Sequence, residues 1–319
     1  MERLIDPGYT TERLHGGSVG FVELMTGTIG GEPFRTVVKT QKRWDRPGDP
    51  DSWRREYDLY ASDVGSDLDA MFSYMFRRPK CYHAQMGDNE TKLWLEYIEG
   101  VSGSDLTAEM LESVAEGLGR FQGKLYAEKS MPVITNLSST DGMKDFYYYN
   151  RSKKELYDHI RSVSCEVPTH LCEMLIDVDE RADDVWAEIE KFPLVLCHRD
   201  LFPPNIFYAD GSIVLIDWDS AGMGYLGEDI VNLVADAGDV AHMVEYFCRC
   251  VPAYLRGFGA YVDVSQLQNL YIYERIVMHF GYRSLDKCNW LGIAKTADEM
   301  KIDLDVLQQI FEMRHINIK

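Results

Sequence analysis

The sequence predicts an α+β protein of two lobes, a β-rich N-terminal lobe with one helix and a mainly helical C-terminal lobe. Three observations carry this. The first hundred residues hold five β-branched or alternating runs and one run of helical spacing. Beyond residue 99 the apolar positions recur at helical period. A short β-rich stretch, residues 194–216, interrupts those helices.

In the N-terminal half, residues 11–14, 21–26 and 34–39 read as strands; the third, FRTVVK, is β-branched and ends at Lys39. Between the first two lies Gly16-Gly17-Ser18-Val19-Gly20, a hairpin whose backbone N–H groups can approach phosphates. After a charged Pro/Gly-rich stretch, SWRREYDLYA at 52–61 has helical spacing with Ser52 as N-cap. Residues 74–82 and 93–98 read as two further strands. Glu99-Gly100 and Gly103 break the pattern. The expected boundary follows: residues 1–98 form the N-lobe and 99–319 the C-lobe.

In the C-terminal half, residues 106–126 place Met110, Leu111, Val114, Leu118, Phe121 and Leu125 on one helical face. Two helical stretches are expected between residues 142 and 191, strands at 194–197, 205–208 and 212–216, and helices from Asp229 onward. The run from Gly117 to Lys124 faintly resembles a nucleotide loop. It lies mid-helix, and Leu125 stands where a P-loop needs Ser or Thr.

The chain has 319 residues, 45% of them apolar and 12% aromatic, a globular composition. No apolar stretch approaches the roughly 20 residues that span a bilayer, so no membrane partner is expected. The charged start has no apolar h-region, and seven scattered cysteines form no CxxC pair. Both point to reduced thiols in the cytoplasm. No Cys/His cluster has zinc spacing. The formal charge of −19 argues against nucleic acid, suits a cationic small molecule, and equally serves solubility.

The chemistry-bearing string is H-R-D-L-F-P-P-N at residues 198–205, with Asp217 twelve positions on, after the apolar run SIVLI. An aspartate in a loop between strands can hydrogen-bond a substrate hydroxyl in line with a γ-phosphate; that role falls to Asp200. Magnesium takes oxygen donors and keeps several waters, so Asn205 and Asp217 suffice as protein ligands. This is the arrangement of protein kinases. Asp219, in D-W-D, is either a further metal contact or a solvated residue. Lys39 would reach the α/β-phosphates, held by an acidic residue on the next helix: Glu56, with Asp58 second. In LWLEYIEG, residues 93–100, the Glu96 carbonyl and the Ile98 N–H would read an adenine edge, with Leu95 flanking the base.

On CHRDLFPPNIF and VLIDWDSAG, with looser N-terminal motifs in order over nearly the whole chain, the sequence resembles the aminoglycoside phosphotransferase/choline kinase family. The resemblance implies a bilobal protein-kinase-like fold with ATP and Mg2+ between the lobes, GTP not being excluded. It maps the catalytic aspartate to Asp200, the metal ligands to Asn205 and Asp217, the lysine to Lys39 and the helix glutamate to Glu56. Gly17 and Ser18 fall in the phosphate hairpin. Asp229, in GEDIVNLVADA, matches an aspartate that braces the catalytic loop, with His198 as further support. Protein kinases fit less well. D-W-D replaces D-F-G, only residues 220–227 precede the next helix, about 100 residues separate Ile98 from His198, and Phe202 replaces a lysine. Arg199 stands where small-molecule members often carry Gly or Asn, which leaves the acceptor open. Against the C-lobe helices the acceptor would meet Asp236, Asp239, Tyr271, Tyr273 and Glu274. The expected activity is phosphorylation of a small-molecule hydroxyl. An aminoglycoside is the first acceptor considered, and choline, ethanolamine, homoserine or a sugar are alternatives. A protein kinase and a nucleotide-binding pseudokinase stand behind these.

Overall fold

Strands β1 (Thr10–Leu14), β2 (Gly20–Ile29) and β3 (Glu32–Lys42) pair antiparallel, as their β-branched runs lead one to expect. The computed structural model describes residues 5–14, 20–44, 46, 49–61, 76–129, 136–163, 165–235, 239–265, 267, 270–288 and 296–318. Helix α1 is Ser52–Ala61, the run whose spacing predicts it, but Ser52 is its first residue and not its cap, and its Oγ is buried without a hydrogen-bond partner among the described residues. Strands β4 (Phe76–Arg77), β5 (Cys81–Met86) and β6 (Glu90–Glu96) follow. The N-lobe sheet has the order β1-β2-β3-β6-β5. On one face Val38 and Trp94 pack with Ile5 and Met25. On the other, Lys39 lies opposite Leu93, and α1 packs there with Trp53, Glu56 and Leu59 buried.

The strand expected over residues 74–82 is two strands that serve different sheets. Phe76–Arg77 runs parallel to β10 (Ser212–Leu215), whose sheet also holds β7 (Val101–Ser102) and β9 (Ile206–Ala209) in the order β4-β10-β9-β7. Pro79, which has no N–H to give a ladder, lies between the halves. Strands β8 (Leu194–Cys197) and β11 (Gly222–Tyr225) pair with each other.

The C-lobe is built on α2 (Ala108–Glu128). The two helical stretches expected after it are four helices: α3 (Gly142–Arg151), α4 (Lys154–Ile160), α5 (Thr169–Glu180) and α6 (Ala182–Ile189). Pro168 at the start of α5 and a non-helical Arg181 at its end make two of the divisions. Then come α7 (Glu228–Ala235), α8 (Met243–Gly259), α9 (Ile272–Ile276), a π-helical turn at Val277–Gly281, α10 (Tyr282–Lys287) and α11 (Ala297–Met313). Helix α2 lies along α8 over a core that runs from Leu59 to Met313. No helix among the described residues is long and apolar enough to cross a membrane.

Candidate active site

Lys39 is carried by the third strand and Glu56 by the buried face of α1, and the two meet at 2.5 Å. The same ammonium reaches Asp217 Oδ1 at 2.6 Å, across the lobes. The side chains of Lys39 and Glu56 are 11% and 7% exposed. Burial works against the charge on Lys39, but Glu56 and then Asp217 outweigh it and hold the ammonium well above its ordinary value. Burial also pushes Asp217 up, and Lys39 overcomes this, so its carboxyl ends below the usual range. Glu56 is raised by burial against the pull of Lys39, and its other oxygen accepts from Trp218 N at 3.4 Å.

The catalytic-loop string lies between β8 and β9. Asn205 donates from Nδ2 to Asp200 Oδ2 at 2.7 Å and to the Asp200 carbonyl at 2.8 Å. Its backbone carbonyl accepts from Ile216 N at 3.0 Å, which sets the asparagine beside Asp217. Burial, then the nearby Asp217 and Asp219, push Asp200 up to about 6. Asp217 (φ 64°) and Arg199 (φ 67°) are both left-handed, a costly conformation for non-glycine residues. Arg199 immediately precedes Asp200, and Asp217 is itself the partner of Lys39.

His198 and Asp229 hold the loop from behind. Asp229 accepts from His198 N at 3.0 Å, Arg199 N at 2.8 Å and Gln122 Nε2 at 3.1 Å. Burial raises its carboxyl to about 7 against those donors. His198 Nε2 donates to the Ile216 carbonyl at 2.9 Å, its Nδ1 accepts from Asp200 N at 3.3 Å, and its ring lies 4.5 Å from that of Trp218. Burial holds its pKa at about 4, so the imidazole is neutral.

The sequence profile of the APH phosphotransferase enzyme family matches residues 77–267. The chain belongs to the APH phosphotransferase family. Human ethanolamine kinase 1 is 34% identical over 95 residues, a stretch that is 25% of this chain and only about a fifth (21%) of the human protein. Two solved structures share the fold of this APH-family chain. The amicoumacin kinase hAmiN, in complex with AMP-PNP, Ca2+ and Ami, is 14% identical with a TM-score of 0.60, over 98% of this chain and 92% of that one. The GDP complex of aminoglycoside 2'-phosphotransferase-IIIa is 15% identical with a TM-score of 0.60, over 97% and 93%.

Other residues singled out in the sequence of the APH-family chain lie as follows. Gly17, Ser18 and Asp236 are outside the described residues. The Glu96 carboxylate is held by Arg77 at 2.6 and 3.1 Å and by Lys80 N at 3.0 Å. With Ile98, Glu99 and Asp210 it lines a polar cavity of 310 Å³. Asp58 pairs with Arg54 at 2.9 Å on the helix, not with Lys39. Asp239 accepts from His242 Nδ1 at 2.5 Å and caps the turn at Ala241 N. Tyr273 and Glu274 are partly buried on α9, and Glu274 lies 3.9 Å from Arg181. Asp219 is raised by burial and by Asp217, and its carboxylate accepts from Ser220 Oγ at 3.0 Å.

Two supporting residues were not singled out in the sequence. Gln122 on α2 bonds the Leu196 carbonyl at 3.0 Å as well as Asp229, and Asn232 bonds the Arg199 carbonyl at 2.9 Å. Each is a polar residue on an apolar helical face, and that was the available signal.

Proposed function

We propose that the chain transfers the terminal phosphoryl group of ATP to a hydroxyl of a small molecule. One observation supports this most: Lys39 and Glu56 from one lobe and Asp217, Asn205 and Asp200 from the other form one linked cluster. In the reading proposed, Asp200 hydrogen-bonds the attacking hydroxyl through Oδ1, the oxygen that no described residue engages, and receives its proton as the oxygen bonds to phosphorus and ADP leaves. Lys39 draws on the α/β-phosphates, and Glu56 keeps it aimed.

The donor set fits a hard divalent cation. With Nδ2 spent on Asp200, Asn205 is left with its carbonyl oxygen, and Asp217 keeps Oδ2. Asp217 raises the pKa of both Asp200 and Asp219, a repulsion that added positive charge relieves. Asn205 and Asp217 would hold magnesium, which would supply positive charge against the phosphate oxygens. Acceptors that join a hydroxyl to a cationic amine suit a chain of charge −19. Aminoglycosides and ethanolamine are of this kind, and relatives of the chain act on such compounds by name.

A screen of ADP release over aminoglycosides, choline, ethanolamine, homoserine and sugars tests the reading. Asp200→Ala lowers kcat about a thousandfold or more while nucleotide affinity holds within a few fold. Turnover that survives in Asp200→Ala refutes the assigned role. Transfer to a peptide library but to no metabolite replaces the acceptor class with protein.

A further inference from the structure

Two arginines beside the site bind opposite ends of one segment. Arg55 follows the chain of α1 next to Glu56 and is fully buried, with 0% side-chain exposure. Its Nε donates to the Asn136 carbonyl at 2.7 Å, its Nη1 to the Asp219 carbonyl, and its fork closes on Asp49. Asn136 returns bonds to α1, through Nδ2 to Asp58 Oδ2 at 3.0 Å and to the Asp51 carbonyl at 3.1 Å. Two residues on, Ser138 bonds the loop that follows Asp217. Its N donates to the Ala221 carbonyl at 3.0 Å and its Oγ to the Ser220 carbonyl at 2.8 Å.

The other end is held by Arg199, the neighbour of Asp200. Its guanidinium bonds Ser138 Oγ at 2.6 Å, the Ser139 carbonyl, the Thr140 carbonyl at 3.1 Å and the Met223 carbonyl at 3.0 Å. Nε pairs with Glu228 at 2.9 Å, and both side chains are under 10% exposed. The approach is close enough to require glycine at 222, where a Cβ would fall 2.4 Å from Ser138 Oγ and 2.5 Å from Arg199 Nη1. Four bonds from the two ends of a rigid fork to carbonyls and a hydroxyl, with Nε ion-paired to Glu228, are what lysine cannot reproduce.

We propose that Arg55 and Arg199 are positioning residues that act through residues 136–140 to couple α1 to the catalytic loop. The position of Glu56, and so of Lys39, then depends on the same strap that sets Asp200. This deepens the phosphotransferase reading and rests on it for its kinetic consequence. The coupling has a physical carrier, since one hydrogen-bonded segment contacts both elements and the loop after Asp217.

Native-state hydrogen exchange on the full chain tests it. In Arg55→Lys, amides of residues 198–202 and 205, none of them in contact with Arg55, exchange at least about tenfold faster. In Arg199→Lys the amides of α1 do so, while α11 is unchanged in both. Ser138→Ala, which removes a single hydroxyl, shows the same pattern at smaller amplitude and serves where an arginine variant does not fold. In the active enzyme kcat falls about ten- to a hundredfold in either arginine variant, with nucleotide KM within about twofold. Exchange that quickens only around each substituted residue, with the opposite element untouched, overturns the coupling. A wild-type chain that phosphorylates no acceptor overturns the proposed function instead, and the exchange pattern alone then decides the coupling.

Discussion

Lys39 stands between two carboxylates that have little water to fall back on. Removing one partner of a buried charge cluster costs more than the cluster itself contributes, because the remaining charges lose their only compensation. Lys39→Met is therefore expected to lose roughly 3 kcal/mol of stability at pH 8. The loss shrinks at pH 5.5. Without the ammonium, Glu56 and Asp217 have folded pKa values above their unfolded ones, so the penalty is present above the folded pKa and fades as they protonate. Urea denaturation at the two pH values measures this, and equal losses would contradict it. His279 gives a second test with the opposite sign. Its ring lies 4.8 Å from that of Phe146, its Nδ1 is buried without a partner among the described residues, and burial followed by Arg283 lowers its pKa to about 4. A histidine with a folded pKa below the unfolded one loses stability as pH falls from 6.5 toward 4. Relative to wild type, His279→Phe is expected to gain about 1.3 kcal/mol between pH 7.5 and 5.5. A pH-independent difference would show that His279 stays neutral in neither state's favour. At this scale the clustering of Asp200, Asn205 and Asp217 was legible, because H-R-D, Asn205 and Asp217 keep a rigid spacing in sequence. The bonds of Arg55 were not, because its partners lie from 6 to 164 residues away.

The pairing of α2 with α8 turns on glycine. A Cβ at Gly119 would meet the Tyr254 carbonyl oxygen at 2.1 Å, and one at Gly257 would meet the Glu116 carbonyl oxygen at 2.1 Å. Both obstacles are backbone, so the helices would have to separate. Gly257→Ala is expected to cost about 2 kcal/mol or more despite the better helix propensity of alanine. Gly259→Ala, whose Cβ would meet only Val264 methyls at 3.3 Å or more, changes stability by less. Thermal unfolding of the two variants compares them; equal melting temperatures would refute the close-packing account. This packing also explains the glycines from 117 to 123, which mimic a nucleotide loop in sequence: Gly117 makes room for Phe76, and Gly119 and Gly123 for α8. Helix α1 was readable because its apolar spacing is a local signal, whereas the Ser52 cap was not formed. Residues 74–82 misread as one strand because the two halves are claimed by different sheets, a choice that no local propensity encodes.

Across the whole molecule, the two lobes share one site, and a ligand that touches both should stabilise both. By mass action, Mg-ATP at about 100 times its Kd adds roughly 2.7 kcal/mol to the folded state. The shift in melting temperature is expected with Mg-ATP, to be much smaller with ATP and EDTA, and to lose its magnesium dependence in Asp217→Ala. A shift in Asp217→Ala that still tracks magnesium would move the metal ligand elsewhere. The formal net charge of −19 adds a general repulsion of anionic nucleotide, which under the proposed function Lys39 and a bound cation would offset locally.

The β-rich start, the mainly helical remainder and the string that runs from His198 to Asp217 follow from the sequence alone, because each rests on local periodicity or on a short spacing. Contacts over long separations were decided only in three dimensions: the join of Lys39 to Asp217, the division of residues 74–82 between sheets, and the strap from Arg55 to Arg199. Such contacts form when packing brings distant backbone carbonyls and charges into one dry space, and any carbonyl in the chain could have served. Side-chain identity names the donor, but only the folded chain selects its acceptor.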